Sequence, residues 1–181
     1  MCIRDRVQEL NEQSDAGSKM VMAQSFNDHI WYGLLSTYTR QLAKGLDFYA
    51  GLDVRSYKGT HTAKISDLYN GAYYTDLRYR SSVNPANNAA ALDPNWQYEK
   101  LSIGDVVFRD YDSHIVQHGV FSQLEYSKDR ITAFVSGTLA TSRYWRYDRF
   151  YYDAAHAKSD KKNFASGSIK GGLNYNIDRY N

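Results

Sequence analysis

The chain has 181 residues, 22 basic and 20 acidic side chains and a formal charge of +2, so it carries no net field that would draw in nucleic acid. Its 17 tyrosines and mean hydropathy of -0.63 describe an amphipathic, aromatic polypeptide, whose longest apolar run, Ile30 to Leu35, falls far short of the roughly 20 residues of a membrane helix. Two prolines and 12 glycines argue against a disordered or collagen-like chain, and the tyrosine content favours an all-β fold.

Met1 to Arg6 (MCIRDR) has the look of a translated adapter remnant from DNA assembly and is set aside from fold reasoning. The only cysteine, Cys2, rules out an internal disulfide. No apolar stretch follows the basic residues, so this is not a signal peptide, and the true N-terminus is expected to lie elsewhere. Residues 7–28 read as an outer loop, with a short helix over the polar segment Val7 to Gly17, which lacks strand alternation.

The first predicted strand covers about 29–42 and leads into a turn at Lys44 and Gly45. Its register stays open, because a two-residue and a three-residue turn place Tyr38 and Arg40 on opposite faces. The second strand, about 46–57, alternates almost without error. Leu46, Phe48, Ala50, Leu52 and Val54 share one face, while Asp47, Tyr49, Asp53, Arg55 and Tyr57 share the other. After a long loop, about 58–114, two strands at about 115–127 and 130–142 form a hairpin. With its turn centred on Lys128 and Asp129, Tyr126 falls opposite Ile131 and Leu124 opposite Ala133, on a mostly apolar face. A second long loop, about 143–163, precedes a last strand at about 164–177, where Ile169, Leu173, Tyr175 and Ile177 oppose Ser166, Ser168, Lys170, Asn174 and Asn176.

The unequal connections carry the argument from sheet to barrel. Consecutive antiparallel strands alternate direction, so both short turns fall at one edge and both long loops at the other. Transmembrane barrels have this asymmetry, with short periplasmic turns and long extracellular loops, and these strands are long enough for a tilted bilayer crossing. About five strands are fewer than the roughly 8 a closed bacterial barrel requires. The expectation is therefore an antiparallel, up-and-down transmembrane β-barrel segment, an incomplete barrel. A soluble β-sandwich binding or adhesin module is the rival, since it alternates in the same way.

Residues 29–181 resemble the barrel domain of TonB-dependent outer-membrane receptors, in segments such as WYGLLSTYT (31–39), DFYAGLDVRSYKG (47–59), GVFSQLEYS (119–127) and YWRYDRFYYD (144–153). The resemblance lies in strand-and-loop texture and is silent on ligand. It implies a barrel of about 22 strands plugged by an N-terminal domain. It also implies import of a scarce nutrient (chelated iron, a corrinoid, a glycan or a peptide) across the outer membrane with energy from the TonB complex. The plug and the TonB-contacting segment are absent from this sequence, so the partners expected here are outer-membrane lipid and the nutrient, with TonB engaged through the missing region. No cofactor is expected.

Catalytic signatures are missing: there is no GxSxG, GxxxxGK[ST], HExxH or CxxC, so the chain is expected not to be an enzyme. Gly167 to Gly172 (GSIKGG) sits inside an alternating strand, where glycines allow close strand approach. His29, His61, His114, His118 and His156 lack metal-ligand spacing, and Asp105 to Asp112 lacks the dense oxygen pattern of a calcium loop. The candidate ligand-binding residues are Arg146, Tyr147, Asp148, Arg149, Tyr151 and Tyr152, with Arg109 and Tyr111. Aromatic faces stack on a ligand while guanidinium and carboxylate groups bond its edges, although Tyr144 and Trp145 suit a membrane-interface girdle better. Asp53, Arg55, Gln123, Glu125 and Lys170 are expected on the wet, lumen-facing side.

Overall fold

The computed structural model describes residues 2–80 and 95–177. A helix, α1 (Ile3–Glu12), precedes two long strands, β1 (Met22–Ala43) and β2 (Leu46–Asp67). The short helix α2 (Leu77–Arg80) and a 3-10 turn at Trp96–Tyr98 follow, and then β3 (Val106–Lys128), β4 (Ile131–Asp148) and β5 (Lys162–Tyr175). The strands form one up-and-down sheet in the order β1-β2-β3-β4-β5. The fold is all-β, and the expected strands are all present. Among the described residues no helix is long and apolar enough to cross a membrane, which says nothing about a β-barrel.

The strands run further than alternation indicated. β1 starts at Met22, so 22–28 is strand and not loop. The loop placed at 58–114 shrinks to 68–105, and the one placed at 143–163 shrinks to 149–161. Part of the missed extension, Lys58-Gly59-Thr60-His61-Thr62, is polar on both faces and carries no dry face to read. The expected helix is α1, but it begins at Ile3 and takes in residues set aside on sequence grounds.

The hairpin turns settle the registers. Trp31 lies against Tyr57 with ring centroids 4.4 Å apart, and Gly33 faces Arg55. Odd positions of β1 therefore share a face with odd positions of β2, which sets Tyr38 and Arg40 beside Phe48 and Leu52. The turn between Ala43 and Leu46 ends on Gly45 at φ 75°, a left-handed position that glycine fills without strain. In the next hairpin the turn lies at Asp129 and Arg130, one residue later than expected. Ser127 and Thr132 hydroxyls meet at 3.4 Å and Gln117 Nε2 donates to Ser142 Oγ at 3.3 Å. Tyr126 therefore pairs with Ala133 and not Ile131. That is a slip of two, which leaves every side chain on its predicted face. β4 and β5 pair with Gly137 opposite Ile169 and Ala133 opposite Leu173, so the apolar face continues across both.

The chain divides into two compact units. One comprises Met1–Ile30, Lys58–Ser113 and Trp145–Asp160; the other comprises Trp31–Tyr57, His114–Tyr144 and Lys161–Asn181. The first has an ordinary core in which Ile65, Leu68, Leu101 and Val107 pack with Val21, Ala23, Tyr74 and Phe108. All the buried residues among those described belong to this unit. The second unit buries none and displays its aliphatic side chains: Ile169 is 86% exposed, Leu173 77% and Leu139 68%. On the opposite face of that unit aromatic rings pack closely against glycine. A Cβ added to Gly51 would stand 2.5 Å from the Phe121 ring, and one added to Gly172 would stand 2.5 Å from the Phe134 ring.

Candidate functional site

The residues singled out near the end of β4 do not act together, because strand alternation divides them. Arg146 and Asp148 point to one face and are ion-paired at 2.7 Å. Tyr147 and Arg149 belong to the other face, with the Arg149 guanidinium 5.8 Å from the Tyr147 ring centre. A contiguous run of aromatic and charged residues thus makes two clusters of different character.

Arg149 belongs to an ion-pair network. It grips Asp110 through Nε at 3.0 Å and Nη2 at 2.7 Å, and reaches Asp112 through Nη1 at 3.0 Å. Its backbone N–H also donates to the Asp110 carbonyl at 2.9 Å. Lys58 adds an ion pair to Asp112 at 3.2 Å, and the Thr60 and Thr62 hydroxyls donate to Asp112 and Asp110. Burial pushes the Asp112 carboxyl up, but hydrogen bonds from Arg149, Thr60 and Lys58 outweigh it and hold the pKa at about 2. Asp110 is lowered by the same contest between burial and Arg149 with Thr62. With every carboxylate committed to a partner, this network is an anchor for the segment after β4.

The other face is the stronger candidate for recognition. Arg146 stacks 3.6 Å from the centre of the Tyr111 ring, and on the far side His61 lies 4.9 Å from that ring, centre to centre. His29 meets His61 edge-on at 5.7 Å, and the His61 Nδ1 is 2.7 Å from Asn27 Oδ1. Arg109, two residues before Tyr111 on β3, donates from Nη2 to Ser25 Oγ on β1 at 2.8 Å. That reach across β2 is open because the intervening side chain is the buried, small Ala63. Burial lowers the His61 pKa below its ordinary value, and the positive charges of His29, Arg109 and Arg146 lower it further.

Beside this row, the β4–β5 connection folds around a hollow of about 450 Å³ lined by Arg146, Asp148, Tyr151, Tyr152, His156 and Lys158. Asp148 fixes the entry to the loop by accepting the N–H groups of Phe150 and Tyr151, both at 3.0 Å. Asp153 fixes the exit, accepting from the N–H of Ala155 and of His156. A larger hollow of about 790 Å³ lies along Val120, Leu139 and Ile169. It is a dent in the exposed apolar face and offers few polar atoms to orient a ligand.

Of the eight predicted ligand-binding residues, Arg109, Tyr111, Arg146, Asp148, Tyr151 and Tyr152 fall on the row or in its neighbouring hollow, while Tyr147 and Arg149 do not. His61, His29 and Asn27 join the row without having been singled out as recognition residues. Counting odd positions of β2 onward from Tyr57 would have placed His61 on the same face as Asp53 and Arg55. The five residues expected to be lumen-facing lie on one face of the sheet: Asp53 and Arg55 pair at 2.7 Å beside Gly51 and Phe121, Gln123 and Glu125 keep Phe121's parity, and Lys170 stands opposite Ser136. Among the described residues, no group of three or more potential metal ligands assembles. Compared with protein-family models and with curated proteins, the sequence matches none.

Proposed function

We propose that this chain is a section of the β-barrel wall of a TonB-dependent outer-membrane receptor. In this reading the second unit meets the lipid hydrocarbon, and the first unit, in water outside the membrane, takes part in recognising a scarce nutrient. The observation that carries the reading is the contrast between the units: the first buries a conventional core, while the second buries nothing and presents Leu139, Ile169 and Leu173 to its surroundings. Each such side chain gains roughly 1.5–3 kcal/mol on leaving water, so a run of them in an aqueous setting is unfavourable and aggregation-prone. Two further features agree: long strands, and edges at β1 and β5 that need further strands to satisfy their backbone. The rival β-sandwich requires a second sheet packed on the apolar face, whereas the five described strands lie in one sheet.

The test places single cysteines, in a Cys2→Ser background, at Leu139, Ile169, Gln123 and Lys170, each carrying a polarity-sensitive fluorophore in lipid vesicles. Brominated lipid is expected to quench the first two and aqueous iodide the last two. Iodide quenching at all four positions would refute the membrane assignment.

A further inference from the structure

On the Tyr111 face of the first unit, two arginines and two histidines gather around one aromatic ring. Arg146 reaches Tyr111 from β4, His61 from β2, and His29 abuts His61. Arg109 lies one strand step from Tyr111 on the same face, at roughly 6.6 Å along β3. Asp148 pairs with Arg146, but its carboxylate also accepts the N–H groups of Phe150 and Tyr151.

Arg109 adds an independent observation. Its Nη2 bonds Ser25, but its Nε is buried and finds no hydrogen-bond partner among the described residues. An unmet buried donor costs about 1–3 kcal/mol, and more when the group is charged. Such a donor calls for an explanation, an ordered water or an ion among them, and Arg80 Nε is in the same state. A neutral ligand would add no anionic partner for Arg109, whose Nη2 bonds only the neutral Ser25 hydroxyl. The planar guanidinium fork matches the oxygen spacing of carboxylate and phosphate, and the Tyr111 stack holds Arg146 ready without reorganisation.

We propose that this face is a seat for an oxyanionic group, a carboxylate or a phosphate, gripped by Arg109 and Arg146 with Tyr111 and His61 packed between them. The proposal deepens the receptor reading above and rests on it for biological meaning, but not for its chemistry.

The test uses the full chain in detergent micelles, titrated at constant ionic strength with inorganic phosphate, with citrate, and with chloride as control. Binding is followed by calorimetry and by the His61 imidazole resonances. Saturable binding of at least one oxyanion, weakened about tenfold or more by R109Q and by R146Q, is expected. K64Q, at an exposed position outside the seat, should bind as the unaltered chain does. Response to citrate alone identifies a carboxylate ligand, and response to phosphate alone a phosphate. Neither oxyanion binding better than chloride, or both variants binding as tightly as the parent, overturns the proposal. Should R109Q lose its β-sheet circular dichroism, R146Q decides alone. Anion binding with iodide quenching at all four labelled sites would sink the receptor reading and leave the seat; lipid quenching at the predicted sites with no anion binding would sink only the seat.

Discussion

Replacing Arg149 by glutamine removes four side-chain hydrogen bonds to Asp110 and Asp112 and leaves two carboxylates two residues apart on one strand. Thr60, Thr62 and Lys58 remain as partners. The Asp112 pKa in the folded protein is about 2 against an ordinary 3.8, a difference worth about 2.4 kcal/mol. Arg149 supplies only part of it, and its side chain is 36% exposed, so screening reduces the expected loss at pH 7 to about 1–2 kcal/mol. The sign follows from linkage. A carboxyl whose folded pKa is depressed stabilises fully above 3.8, and that stabilisation is lost as pH falls toward 2. The gap between parent and R149Q should therefore be widest near neutrality and close between pH 4 and pH 2. Urea unfolding of both proteins, followed by circular dichroism in the same detergent at pH 7, 4, 3 and 2, measures it. A gap that is absent at pH 7, or that persists unchanged at pH 2, would refute the network's role.

Gly51→Ala places a Cβ 2.5 Å from the Phe121 ring and in closer collision with the Ser36 carbonyl oxygen, whereas Gly137→Ala meets nothing within 4 Å. The first should cost about 1–3 kcal/mol in urea unfolding and the second close to nothing; equal stabilities would discredit the ring-on-glycine packing. The His61 imidazole should titrate below its ordinary 6.5, because burial and then His29, Arg109 and Arg146 disfavour its cation. A folded histidine with a lowered pKa makes stability fall as pH drops through 6.5, and H61N should flatten that slope. An NMR midpoint at or above 6.5 would contradict this account of the row.

Much of the sheet was legible along the chain, because a strand whose two faces differ in polarity shows a period of two. Phe48, Leu52, Leu124, Ile169 and Leu173 announce their side without reference to any neighbour. Sidedness even survived a misplaced turn: moving the β3–β4 turn one residue shifts the pairing by two, and two restores the face. The Arg146–Tyr111–His61 row was only half legible. Arg109, Tyr111 and Arg146 stood out by residue type, but Tyr147 and Arg149 stood out equally and belong to the opposite face.

By itself the sequence determined that five strands follow one another, and the faces of all but the first, since these depend on alternation within a few residues. Strand ends, the first strand's register and one turn position came from the structure. Only the tertiary structure decided what Arg109 touches. Its contact with Ser25 on β1 spans 84 residues of chain and depends on Ala63 being small on the strand between. It likewise decided that Tyr111 lies between Arg146 and His61. Those neighbours come from three strands whose polar ends carry no periodic signal, so the register set by the distant hairpin turns is what brings them together.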